Sequence, residues 1–109
     1  GRGSQCINTG GEKVFTEEVE EAAKRHPAVA DCLVVGLPDE RFGNRVVAVL
    51  ALREGTPEPS DDELREAMRE HLAGYKLPRQ FVRVPAVQRA PNGKADYRWA
   101  RSTAEAEVA

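Results

Sequence analysis

Two short loops carry the residue types best suited to handling an anion. Gly10-Gly11-Glu12-Lys13 offers a backbone free of side chains beside a lysine, which suits close approach by an extended or phosphorylated ligand. Pro91-Asn92-Gly93-Lys94 puts an ammonium at the apex of a stiff turn. Taken alone, each loop also reads as an ordinary surface turn with a solvated lysine. Other chemistry is harder to assemble. His26 and His71 fall on predicted helices, the second on an apolar face, so structural roles are expected and no Ser/His/Asp or Cys/His arrangement follows. The carboxylate pairs Glu17/Glu18, Glu20/Glu21 and Asp61/Asp62 fall in the first turns of helices, where negative charge offsets the dipole. Cys6 and Cys32 have no CxxC or Cys/His spacing, which argues against a zinc site or a disulfide framework and for a reducing, cytoplasmic setting. No metal site and no self-contained active site emerge.

The elements that must hold these loops follow from patterning. Gln5 to Thr9 is a short strand-like run ended by Gly10-Gly11, after which a loop is expected. Thr16 should cap a helix running to about Arg25, stopped by Pro27. The apolar runs 31–37 and 45–52 predict two central strands separated by a turn-rich segment, 38–44. Ser60-Asp61-Asp62-Glu63 is a capping box opening a second helix, expected to close at Gly74 in a left-handed conformation. A further strand is predicted over 80–84, and Tyr97 to Arg101 should start a last short helix, with 102–109 a frayed tail. The predicted class is α+β: a small sheet of about three core strands covered by helices, with a short N-terminal strand and loop.

Length and composition set the outer bounds. A chain of 109 residues holds one small domain. Sixteen Lys and Arg against eighteen Asp and Glu leave a formal charge of -2, with 31% charged and 40% hydrophobic residues. That balance argues against disorder and against a basic nucleic-acid surface. The longest apolar run, Val46 to Leu52, is far short of the roughly 20 residues a membrane helix needs.

In order along the chain stand Gly1-Arg2, Gly10-Gly11-Glu12-Lys13-Val14, Glu17-Glu18-Val19-Glu20, His26-Pro27-Ala28-Val29, Val35-Gly36-Leu37-Pro38-Asp39, Tyr75-Lys76-Leu77-Pro78 and Pro91-Asn92-Gly93-Lys94. Together they resemble the C-terminal domain of adenylate-forming enzymes: acyl-CoA synthetases, nonribosomal peptide adenylation domains and luciferase. The resemblance spans 1–101, with 1–4 as a hinge segment. The Gly-Arg-Gly-Ser start and Gly93-Lys94-Ala95-Asp96-Tyr97-Arg98 look most like actinobacterial long-chain fatty acyl and steroid side-chain CoA ligases.

The resemblance implies a lid domain used in two half-reactions with ATP, Mg²⁺ and CoA. Lys94 matches the lysine that bridges the acyl carboxylate and the ATP phosphate during adenylation. Arg2 matches the arginine at the nucleotide ribose, and Ser4 takes the hinge position, where Asp or Lys is more usual. Gly10 and Gly11 match the loop lining the CoA channel. Lys13 matches a position often basic in the family, where it would meet the CoA nucleotide, and Arg69, by its spacing before Tyr75-Lys76-Leu77-Pro78, is a candidate contact to the CoA 3′-phosphate. Asn8 departs from the pattern, since many relatives have Lys there. The implied partners are a large N-terminal adenylation domain of the same polypeptide and a regulatory lysine acetyltransferase acting on Lys94. The start on Gly1 without Met fits a processed start, a tag remnant or a cut inside a longer protein, and the motifs of the resemblance favour the last as the expectation. Two other readings fit the residues: a free-standing binding module for an anionic ligand or protein partner, and the lid of a carrier-protein-dependent adenylation enzyme.

Overall fold

The computed structural model describes residues 5–108. Arg2 and Ser4 lie outside them. The elements run β1 (Cys6–Thr9), β2 (Glu12–Phe15), α1 (Thr16–Lys24), β3 (Val29–Asp39), β4 (Gly43–Leu52), α2 (Asp61–Arg69), a 3-10 turn (Gly74–Lys76), β5 (Gln80–Arg83) and α3 (Tyr97–Val108). The class is α+β, as predicted. β4 is the central strand, antiparallel to β3 and parallel to β5, while β1 and β2 form a separate antiparallel hairpin. Among the described residues no helix is long and apolar enough to cross a membrane.

The apolar runs of β3 and β4 are nearly continuous because both sheet faces are buried. Alternate residues divide between them. Cys32, Val34, Val46, Ala48, Leu50 and Phe81 pack with Val19, Ala22 and Ala23 of α1, Leu64 and Met68 of α2, and Ile7 and Val14 of the β1–β2 hairpin. Leu33, Val35, Leu37, Val47, Val49 and Val82 pack instead against Ala100 and Ala104 of α3. That second face corrects the expected frayed tail. Ala104 is fully buried, so the helix continues to Val108 to cover the sheet, and the Ala100/Ala104 spacing is the amphipathic signal. Asp96 opens α3 by accepting from the Trp99 amide at 3.0 Å.

Four local expectations change. The loop after Gly11 is strand β2, paired with β1 from Cys6↔Phe15 to Thr9↔Glu12. Thr16 does not cap α1: Phe15 is the N-cap residue, and the buried Thr16 hydroxyl instead meets the Tyr97 hydroxyl at 3.2 Å. The capping box at Ser60 and Glu63 is present, but α2 stops at Arg69, and Gly74 opens a 3-10 turn and is not among the glycines with positive φ. His71 therefore leaves the apolar face and is exposed, whereas His26 keeps a structural role by accepting from the Ala28 amide at 3.0 Å.

Glu20 joins the layers. Only 6% exposed, its carboxylate accepts from the Val34 amide on the free edge of β3 (2.9 Å) and from the Tyr97 hydroxyl of α3 (2.8 Å). Burial pushes its pKa up, and the two donors partly offset that push. Glu20→Ala leaves the buried Val34 amide without a partner, while the Tyr97 hydroxyl keeps Thr16, and is expected to cost roughly 1–3 kcal/mol. Urea unfolding measures this. An unchanged midpoint would mean that the Val34 amide is not left buried without a partner.

Candidate functional site

The Lys94 turn hangs on the start of β3. Gly93 adopts φ 85°, the Ala90 amide donates to the Lys94 carbonyl (2.9 Å), and the Lys94 amide donates to Asn92 Oδ1 (3.0 Å). Arg89 pairs across the turn base with Ala95 and reaches Asp31 on β3 through two nitrogens, at 2.8 and 2.7 Å. The Lys94 side chain is exposed and makes no hydrogen bond or ion pair among the described residues. An unpaired ammonium on a braced turn is available to a ligand carrying negative charge.

The Gly10-Gly11 loop sits at the other end of the same β3–β4 hairpin. The Gly10 amide donates to the Phe42 carbonyl at the hairpin tip (2.8 Å), and Asn44 Nδ2 donates to the Asn8 carbonyl (3.0 Å). Gly36 lets β1 lie this close, since a Cβ there would meet Ile7 Cγ2 at 2.9 Å. Gly10 and Gly11 have φ of 58° and 84°, conformations that L side chains resist. Lys13 shares the hairpin, opposite Asn8 in register, and is exposed. Arg69 lies elsewhere, on α2, where Glu66 already pairs with it at 3.1 Å.

Asp31 and Asp39 are eight residues apart on one strand, so the two loops are roughly 26 Å apart along β3 at about 3.3 Å per residue. One small ligand does not span them. Sequence reasoning missed two contributors. Phe42, held against Gly10, is flanked by Arg41 and Arg79 at 5.4 and 5.2 Å from its ring centroid, inside a segment that looked only turn-rich. Arg89 precedes the Lys94 turn without any motif of its own. Among the described residues no group of three or more His, Cys, Asp or Glu is placed to hold a metal.

Residues 18–94 match the family model described as AMP-binding enzyme C-terminal domain, a span that includes Arg69 and Lys94. The chain belongs to that family. This AMP-binding enzyme C-terminal domain is 59% identical over 101 residues to the 3-oxocholest-4-en-26-oate–CoA ligase of Rhodococcus rhodochrous, covering 93% of this chain and 18% of the relative. It is 54% identical over 109 residues to a medium/long-chain-fatty-acid–CoA/3-oxocholest-4-en-26-oate–CoA ligase of Mycobacterium tuberculosis (strain CDC 1551 / Oshkosh), covering 100% of this chain and 20% of that one. The domain thus spans about a fifth of the length of these curated relatives. In structure it matches apo MatB from Rhodopseudomonas palustris with a TM-score of 0.88 at 28% identity, over 100% of this chain and 22% of that one.

Proposed function

We propose that this domain is the swivelling lid of an ATP-dependent acyl-CoA ligase acting on a fatty acid or steroid side-chain acid. The acid and ATP give acyl-AMP and pyrophosphate, and CoA then gives acyl-CoA and AMP. The observation that carries this reading is the separation of the two loops on one rigid hairpin: a single active site uses both only if the domain turns between steps.

In the first step the carboxylate oxygen attacks the α-phosphate, bringing two anions together. The free Lys94 ammonium neutralises the crowded charge, and Arg2 contacts the ribose. Rotation about Ser4 then withdraws Lys94 and brings in Gly10 and Gly11, whose bare backbone leaves room for pantetheine. Lys13 faces the CoA nucleotide, with Arg69 a further contact to its phosphates once released from Glu66. Arg41 and Arg79 beside Phe42 add positive charge to the same end. A lysine acetyltransferase acting on the exposed Lys94 would remove the adenylation charge. The names of the relatives above favour free CoA over a carrier protein as acceptor.

The nucleotide and acyl pockets belong, on this reading, to an N-terminal domain of the same polypeptide. Purified residues 1–109 should therefore release no pyrophosphate from ATP and a fatty acid. Adding the N-terminal domain in trans should restore little, because covalent linkage supplies an effective concentration on the order of mM. Pyrophosphate above background from residues 1–109 alone would overturn the assignment.

A further inference from the structure

The Lys94 turn has little to hold it by itself. Residues 91 to 94 are all exposed, and the bonds within the turn are short-range: Gly93 amide to Ala90 carbonyl (2.8 Å), Ala90 amide to Lys94 carbonyl (2.9 Å) and Lys94 amide to Asn92 Oδ1 (3.0 Å). An isolated pair of this kind opens readily. A lysine that must meet a transition state needs its backbone fixed more firmly than that, since a displacement of about 1 Å costs on the order of 10²-fold in rate.

Arg89 supplies the missing tie. Its guanidinium lies between the strand and the turn and uses all three nitrogens. Nε donates to Asp31 Oδ2 at 2.8 Å and Nη2 to Asp31 Oδ1 at 2.7 Å, a fork that fixes orientation as well as distance. Nη1 donates to the carbonyl of Gly93, the residue before Lys94, at 3.3 Å. Asp31 is held in turn, because Oδ1 also accepts the Cys32 amide at 2.8 Å within β3. The side chains of Arg89 and Asp31 are 30% and 25% exposed, so the pair is shielded more than a surface ion pair. The guanidinium keeps the Asp31 carboxyl below its ordinary value, and the pair is ionised at neutral pH.

We propose that Arg89, clamped on Asp31, is a positioning residue for the adenylation step: it fixes the Gly93 carbonyl and so the backbone from which Lys94 projects. This rests on Lys94 being the adenylation lysine. Lysine at position 89 keeps the charge but loses the fork that grips strand and turn together.

The test uses the full-length protein carrying this domain, with Arg89→Lys, Arg89→Ala, Lys94→Ala and the double variant Arg89→Ala/Lys94→Ala. Pyrophosphate formation reports adenylation, and single-turnover transfer from preformed acyl-AMP to CoA reports the second step. Both Arg89 variants should lower adenylation roughly 10- to 100-fold in kcat with KM for ATP and acid little changed, and the second step should stay close to parent. The double variant should be no slower than Lys94→Ala, because both changes act through one ammonium. Amide exchange should quicken in residues 88–96 and not in β3 or β4. Should the Arg89 variants fail to fold, Asp31→Asn carries the same comparison, placing an amide where the fork needs an anion. Parental adenylation in the Arg89 variants beside an impaired Lys94→Ala overturns the clamp and leaves the role of Lys94 intact. Equal losses in both steps, or an additive double variant, overturn it in favour of a merely structural pair. Parental adenylation in Lys94→Ala removes the lysine's role and the clamp's purpose together.

Discussion

Lys94→Ala in the full-length protein is expected to slow acyl-adenylate formation by roughly 10²–10³, the scale for losing one preorganised charge at a transition state. The substitution is a clean probe. The side chain is exposed and has no partner among the described residues, so its removal should change folding stability by no more than about 0.5 kcal/mol. The turn geometry is carried by Gly93, Asn92 and Arg89, which remain in place. A rate loss with an unchanged unfolding midpoint therefore reports missing charge. Pyrophosphate-coupled assays against acid and ATP read it directly, and parental rates would remove Lys94 from the chemistry.

Gly11→Leu should show the opposite pattern. Gly11 has φ 84°, so any side chain is strained there, yet a Cβ would meet nothing within 4 Å. Alanine and leucine consequently share the same backbone penalty, about 1–2 kcal/mol. Where the two variants unfold at the same midpoint, what leucine does beyond alanine is assigned to a surface outside this domain, which on the proposed function is the pantetheine arm of CoA in the second step. Overfilling a close-fitting passage costs about 1–3 kcal/mol, so thioester formation should fall roughly 5- to 150-fold below Gly11→Ala while adenylation stays level. Gly10 is a poorer probe, because a Cβ there would press on Phe42 Cδ1 at 3.3 Å and disturb the hairpin contact itself. Equal thioester rates for the alanine and leucine variants would move the CoA passage away from Gly11.

Much of this architecture was legible because it depends on short-range chemistry. The capping box at Ser60, the Gly93 turn and the two long apolar strands are local signals, and each stands in the structure. The misses are tertiary. A hydroxyl just before Glu17-Glu18 predicts a cap at Thr16, but the Tyr97 hydroxyl, eighty-one residues away, claims it instead. The end of α3 looked frayed because a few alanines carry little hydrophobic signal, and only the uncovered sheet face reveals why Ala104 is buried. Glu20 resembled a helix-dipole carboxylate until β3 presented its unpaired Val34 amide. Lys94 and the two glycines stand out by residue type as two loops, and the roles proposed for them come from the family resemblance. Their separation along β3 and the Arg89–Asp31 tie across 58 positions emerge only once the strand is laid out.

The central claim is that one domain serves two reactions in two orientations, and the most direct measurement is single-turnover transfer from preformed acyl-AMP to CoA by Lys94→Ala. Lys94 has left the site by that stage on this account, so the variant crippled in adenylation should form thioester at the parental rate. A loss in this step as large as its loss in adenylation would mean that Lys94 stays at the reaction centre throughout, and the domain would have no rotation to perform.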